Sequence, residues 1–135
     1  MQPENAEGII RLDGLQKSYG ELVAVKDLSL DINRGEIFGF LGPNGAGKTT
    51  TINMICGLLK KDAGEIYING ISLGSDYQKC KKWMGLCPQE IVIWESLTCL
   101  EQLEFTARLY DVPRAVARKR SLELLGIFGL DEKKH

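Results

Sequence analysis

Eight consecutive residues, Gly42-Pro43-Asn44-Gly45-Ala46-Gly47-Lys48-Thr49, have the types and spacing to hold phosphate, since they satisfy the pattern G-x-x-x-x-G-K-[ST]. Glycine serves there because backbone N–H groups must point inward at phosphate oxygens, with dihedrals and a closeness that a Cβ obstructs. Lys48 then reaches the β- and γ-phosphates of a nucleoside triphosphate as a cation, and Thr49 places its hydroxyl on Mg²⁺. A helix starting at Lys48 aims the positive end of its dipole at the same phosphates. The plain alternative is a glycine-rich turn without a ligand. With Gly near 7% of residues, a chance match in a chain this long is on the order of half a percent, and the motif also needs a strand before it and a helix after it.

Both flanks read that way. Gly8 to Leu12, Ala24 to Ile32 and Glu36 to Leu41 read as strands, the second with alternating Leu28, Leu30 and Ile32 and followed by the turn Asn33-Arg34-Gly35. The second and third are expected to form a hairpin. The third, Ile37-Phe38-Gly39-Phe40-Leu41, is continuously apolar and reads as a parallel strand covered on both faces in the middle of a sheet. Lys48 to Leu59 reads as a helix with Ile52, Ile55 and Leu59 on one face and Gly57 weakening its last turn. A hairpin over Glu65 to Leu73 turns at Asn69-Gly70, the pair a type I′ turn requires. Met84 to Leu86 reads as a short strand. Thr98-Cys99-Leu100-Glu101 has the capping-box pattern, and Leu100, Leu103, Ala107 and Tyr110 follow at helical spacing. Pro113 suits the first turn of a final helix ending near Phe128.

Composition narrows the classes. The 135 residues are 44% hydrophobic and 26% charged, the balance of one soluble globular domain. Net charge is −1 and the basic residues are dispersed except at Arg114, Arg118, Lys119 and Arg120, which read as a solvated helix face, so no nucleic-acid partner is expected. Cys56, Cys80, Cys87 and Cys99 lack C-x-x-C spacing and the one histidine, His135, is the last residue, which leaves no zinc ligand set. Free thiols and a cytoplasmic setting are expected in the absence of a signal peptide. No apolar run approaches the ~20 residues that span a bilayer, so a membrane role would come through a partner.

The run Gly42 to Thr50, preceded by Gly35-Glu-Ile-Phe-Gly-Phe-Leu41 and followed by Ile55-Cys-Gly-Leu58 and Gly64-Glu-Ile66, closely resembles the nucleotide-binding domain of ATP-binding-cassette (ABC) transporters, from about residue 8 to the C-terminus. The resemblance implies an α/β fold: a RecA-like P-loop NTPase core with an antiparallel β subdomain and the start of a helical subdomain, here truncated. It divides the chain into a loose arm over 1–7, an ATP-binding core over 8–90 and the start of the helical subdomain over 91–135. ATP and Mg²⁺ are the implied ligands, with Gly42, Pro43, Asn44, Gly45, Ala46, Gly47, Lys48, Thr49 and Thr50 as the cradle and Lys48 also catalytic. Lys17-Ser18-Tyr19-Gly20 looks like the segment whose aromatic stacks on adenine, which makes Tyr19 the base-stacking candidate. Leu86-Cys87-Pro88-Gln89-Glu90 looks like the glutamine loop, whose Gln89 would contact Mg²⁺ and the attacking water and couple the site to a membrane partner. Asp62 and Glu90 read as surface charges.

In this family two such subunits, identical or different, sandwich two ATP molecules and drive a transmembrane permease, which places the protein on the inner face of the cell membrane. Gly35 to Leu41 and Leu109-Tyr110 look most like exporter-type members for drugs, lipids or polysaccharides. The chain shows no L-S-G-G-Q signature, no apolar strand ending in Asp-Glu and no later switch histidine. It therefore reads as a fragment whose own hydrolysis is not expected, since phosphoryl transfer needs several separate parts, and whose central strand lacks neighbours. A non-catalytic nucleotide-binding module is the alternative. A small kinase or GTPase is disfavoured because acceptor-site residues and an N-K-x-D base reader are missing.

Overall fold

A computed structural model describes residues 8–89 and 93–130; the arm expected over 1–7, together with Glu90 and His135, lies outside them. The chain divides into two compact units between Leu86 and Cys87.

The first unit is built on a four-stranded antiparallel sheet in the order β2-β1-β3-β4. Its strands are β1 (Ile10–Tyr19), β2 (Leu22–Ile32), β3 (Ala63–Ile68) and β4 (Ile71–Ser72). β1 and β2 close a long hairpin in register from Ile10↔Ile32 to Tyr19↔Leu22, with irregularities at Leu12/Leu15, Leu15/Lys17 and Lys17/Ser18. At the first of these Gly14, with φ +57°, donates its N–H to Ser29 Oγ at 2.8 Å, so the bulge keeps its donor satisfied. The β3–β4 turn at Asn69 (φ 49°) and Gly70 (φ 76°) has the two positive φ angles of the expected type I′ turn. The pleat puts Leu12 and Leu15 of β1 and Ile66 and Ile68 of β3 on one face, where Met54 and Ile55 of helix α1 (Lys48–Ile55) and Cys80 of helix α2 (Tyr77–Lys81) close the core.

Five expectations change. The hairpin partner of β2 is β1, not the segment over 36–41. That segment is not a strand: Ile37 and Leu41 are fully exposed and Phe38 is half-exposed, because no strand among the described residues lies beside it and an apolar run without neighbours has nothing to bury against. Met84 to Leu86 is likewise irregular. The buried face of α1 is Thr51, Met54 and Ile55, with Ile52 turned outward. The helix stops four residues before Leu59, where Gly57 (φ 70°) ends it: Gly57 N–H donates to Met54 O at 3.0 Å and Leu58 N–H to Asn53 O at 2.8 Å, the paired bonds of a Schellman motif.

The second unit is a helical pair, α3 (Cys99–Leu109) and α4 (Arg114–Ile127). The capping box forms as expected: Glu101 N–H donates to Thr98 Oγ1 at 3.2 Å while Thr98 N–H donates to Glu101 Oε2 at 2.8 Å. Pro113 precedes the first turn of α4 as its N-cap. The buried residues are Leu100 of α3 and Ala117, Ser121 and Leu125 of α4, the last three spaced one helical turn apart and so on one face of that helix. Arg118 and Glu104 join α4 to α3 at 2.9 Å, and Trp94 meets Phe105 edge-on with centroids 5.0 Å apart.

Candidate phosphate-binding site

The loop between residue 41 and α1 makes a tight turn at Asn44 and Gly45, with Ala46 N–H donating to Pro43 O at 3.2 Å, and bends at Ala46 and Gly47 into the helix. Gly47 is the residue the geometry constrains most. It holds φ +81°, and a Cβ there would stand 2.3 Å from the carbonyl oxygen of Ala24 and 3.2 Å from Val25 Cγ2. The loop is thus pressed against edge strand β2, and only glycine permits both the dihedral and the approach.

Gly47 is also the N-cap of α1, and it offers no side chain to the helix. The first free turn of a helix has N–H groups without intrahelical acceptors; here they belong to Lys48, Thr49 and Thr50. No acidic residue occupies that turn, so the positive end of the dipole is uncompensated. Lys48 folds back over the loop, its ammonium donating to Gly42 O at 2.6 Å and Pro43 O at 2.7 Å. The cation is thereby held above the turn that the glycines shape. Thr49 is exposed, while Thr51 is buried and returns its hydroxyl to Gly47 O at 2.9 Å, tying the helix start to the loop.

A neutral glycine cradle, an uncapped helix start and one cation fit a polyanion such as a triphosphate. The Thr49 hydroxyl fits an Mg²⁺ ligand in chemistry, since hard cations take oxygen donors. Beside the loop an open cleft of about 220 Å³ is lined by Ala24, Val25 and Lys26 of β2, by Phe40 and Leu41, and by Lys48. Sequence reasoning missed Ala24 and Val25 as the wall behind Gly47, because a backbone approach between distant segments leaves no local signal. Thr51 was missed although its place one turn after Gly47 on an expected helix could have shown it.

Tyr19 ends β1 at the Gly20-Glu21 turn, half-exposed, with the Lys17 ammonium 5.7 Å from its ring centroid. Lys17 is in turn paired with Asp62 at 2.6 Å, and the other oxygen of that carboxylate accepts the Ser18 N–H at 2.8 Å. These bonds hold the Asp62 carboxyl below its ordinary pKa, the Lys17 bond first and the Ser18 bond second. Gln89 is an exposed bend residue of the second unit. Tyr19 and the residues of the loop all lie in the first unit, and Gln89 does not.

Comparison with known proteins agrees with this geometry. A family model described as ABC transporter matches residues 25–134. The chain is 41% identical over 125 residues to the linearmycin resistance ATP-binding protein LnrL of Bacillus subtilis, covering 93% of this chain and 40% of that protein. It is 38% identical to the Nod factor export ATP-binding protein I of Ralstonia nicotianae, covering 93% and 39% respectively. It is 36% identical to the human phospholipid-transporting ATPase ABCA3, covering 98% of this chain and 8% of that protein. A solved ATP-binding subunit of an ABC transporter superposes with a TM-score of 0.81 at 31% identity, over 93% of this chain and 52% of the other. The chain spans less than half the length of each of these relatives and about half of that subunit. With the loop, the uncapped helix and the sheet behind them, these matches establish an α/β fold of the P-loop NTPase kind and show that the chain belongs to the ABC transporter family.

Proposed function

We propose that the protein to which this chain belongs hydrolyses ATP to drive solute transport by a membrane permease, and that residues 42–50 bind the nucleotide's phosphates. The observation that supports this best is the Gly47 contact with β2, which sets an uncapped helix start and Lys48 around one glycine-lined turn. In this reading Lys48 leaves the Gly42 and Pro43 carbonyls for the β- and γ-phosphate oxygens and stabilises the charge that develops on transfer. The N–H groups of Lys48 to Thr50 hold the remaining phosphate oxygens, and Thr49 would supply an oxygen ligand for Mg²⁺. Mg²⁺, when bound, neutralises part of the triphosphate charge. Tyr19 stacks on adenine. By the family resemblance, Gln89 would be a ligand for the metal, would hold the attacking water and would link nucleotide state to the permease.

We assign residues 8–90 to the ATP-binding core and 91–135 to the start of the helical subdomain. The working unit pairs this subunit with a second, identical or different, on the cytoplasmic face of the membrane. Relatives named for linearmycin resistance, Nod factor export and phospholipid transport support an exporter. The test is Mg²⁺-dependent phosphate release from ATP by the full-length protein. Lys48→Ala is expected to lower turnover about a hundredfold, the scale of removing one donor that stabilises transition-state charge. Unchanged turnover would remove Lys48 from the reaction.

A further inference from the structure

The end of β1 carries a device that the phosphate site does not explain. Between Lys17 and Ser18 the β1–β2 register breaks: Lys17 is opposite Val25 whereas Ser18 is opposite Val23. The extra residue there is Ala24 of β2, and on the other side of β1 the ladder to β3 ends at Gln16↔Ala63, so the backbone from Lys17 toward Tyr19 has no strand partner on that side among the described residues. Asp62, the residue before β3 in the loop that follows α1, takes the place of that partner. Its Oδ2 accepts the Ser18 N–H at 2.8 Å, its Oδ1 accepts the Lys17 ammonium at 2.6 Å, and its own N–H donates to Gln16 O at 3.0 Å. The Lys17 side chain is thereby largely buried, at 13% exposure, with its ammonium 5.7 Å from the Tyr19 ring centroid. Three consecutive residues leading into Tyr19 are therefore held by one loop residue, and the Lys17 cation is fixed against the ring.

We infer that Asp62 is a positioning residue for nucleotide-base recognition: by holding Ser18 and Lys17 it sets the orientation of the Tyr19 ring and leaves that ring to receive a purine. This rests on the reading of Tyr19 as the stacking residue. Asp62 itself does not touch the base or the phosphates. A general structural role would weaken every ligand alike, whereas a role through Tyr19 weakens only ligands that carry a base.

The experiment measures binding of Mg²⁺–ATP and of Mg²⁺–tripolyphosphate to the full-length protein and to Tyr19→Ala, Asp62→Ala, Asp62→Asn and the Tyr19→Ala/Asp62→Ala double variant. Tyr19→Ala is expected to weaken ATP about tenfold, the scale of one base–aromatic stack, and to leave tripolyphosphate unchanged. Asp62→Ala should weaken ATP about fivefold with tripolyphosphate likewise unchanged. Asp62→Asn, which keeps an acceptor for Ser18, should fall between wild type and Asp62→Ala. The double variant should bind no more weakly than Tyr19→Ala, because the two act as one unit. Equal loss of both ligands in Asp62→Ala, or additive losses in the double variant, would overturn the inference while leaving Tyr19 in place. No loss of ATP in Tyr19→Ala would remove the stacking reading and this one with it.

Discussion

Two apolar stretches of the first unit meet opposite fates. Leu12, Leu15, Ile66 and Ile68 are all at or below 1% exposure, whereas Ile37 and Leu41 of the still more apolar segment over 36–41 are fully exposed. The difference is in partners, not hydrophobicity. β1 has a strand on each side and α1 across its inner face. The segment over 36–41 is preceded by a turn, in which Asn33 N–H donates to Glu36 Oε2 at 2.8 Å, and is followed by the phosphate loop, with no strand among the described residues beside it. Apolarity states a need for cover, and topology decides whether the cover is there.

The largest effect expected from this contrast is in stability. In urea unfolding of the 135-residue chain, Leu15→Ala should cost about 3 kcal/mol, as cavity formation in a packed core does. Ile37→Ala should change stability by less than about 0.5 kcal/mol. Similar costs at both sites would show that the segment over 36–41 is covered after all, and the contrast would fail.

Glycine exchange within the phosphate loop sharpens the same point about partners. Gly45 and Gly47 both have positive φ, but nothing stands within 4 Å of a Cβ at Gly45 while Ala24 O stands 2.3 Å from one at Gly47. Gly45→Ala should cost about 1 kcal/mol of backbone strain and Gly47→Ala more than twice that, at the upper end of such strain and beyond. The same denaturant titrations give both values, and equal costs would mean that the loop does not lean on β2. In the second unit, where order is local, Thr98→Ala should cost about 1 kcal/mol by removing the capping box. A helical signal by circular dichroism that melts unchanged would rule that out.

The smallest effect is with pH. Asp62, Glu65, Asp76 and Glu101 are all held below their ordinary pKa, mainly by hydrogen bonds from Lys17, Lys61, the Lys79 side chain and the Thr98 backbone respectively. A carboxyl with a depressed folded-state pKa contributes stability that is present above its unfolded value, about 4, and lost as pH falls through the folded value. Stability should therefore decline on acidification below about pH 4, by a modest amount because all four groups face solvent. Asp62→Asn should flatten that decline slightly; an acid limb identical to wild type would show the Lys17–Asp62 pair to be energetically idle.

What could be read from sequence follows the same division. The phosphate loop, the Asn69-Gly70 turn, the Thr98–Glu101 box and the helix after Pro113 are specified by residues within a few positions of one another, so their chemistry is visible in order along the chain. The pairing of β2 with β1, the outward turn of Ile52 and the irregular course of Met84 to Leu86 depend on what lies across the fold. Asp62 shows the limit at the site itself: it reads as a surface charge and is in fact solvent-facing, yet its bonds reach Lys17 and Ser18, more than forty positions away. The five-residue α2 is too short for a helical period to show, although its cap, Asp76 accepting the Lys79 N–H at 3.1 Å, is of an ordinary kind.

The central claim is that the loop at residues 42–49 holds a triphosphate through Lys48 and the uncapped start of α1. Calorimetric titration of Mg²⁺–ATP into the 135-residue chain and into its Lys48→Ala variant tests it most directly. The account predicts saturable one-to-one binding that weakens at least about tenfold in the variant, the loss of one charge-assisted contact to phosphate. Equal affinities for the two chains, or no binding to either, would contradict it.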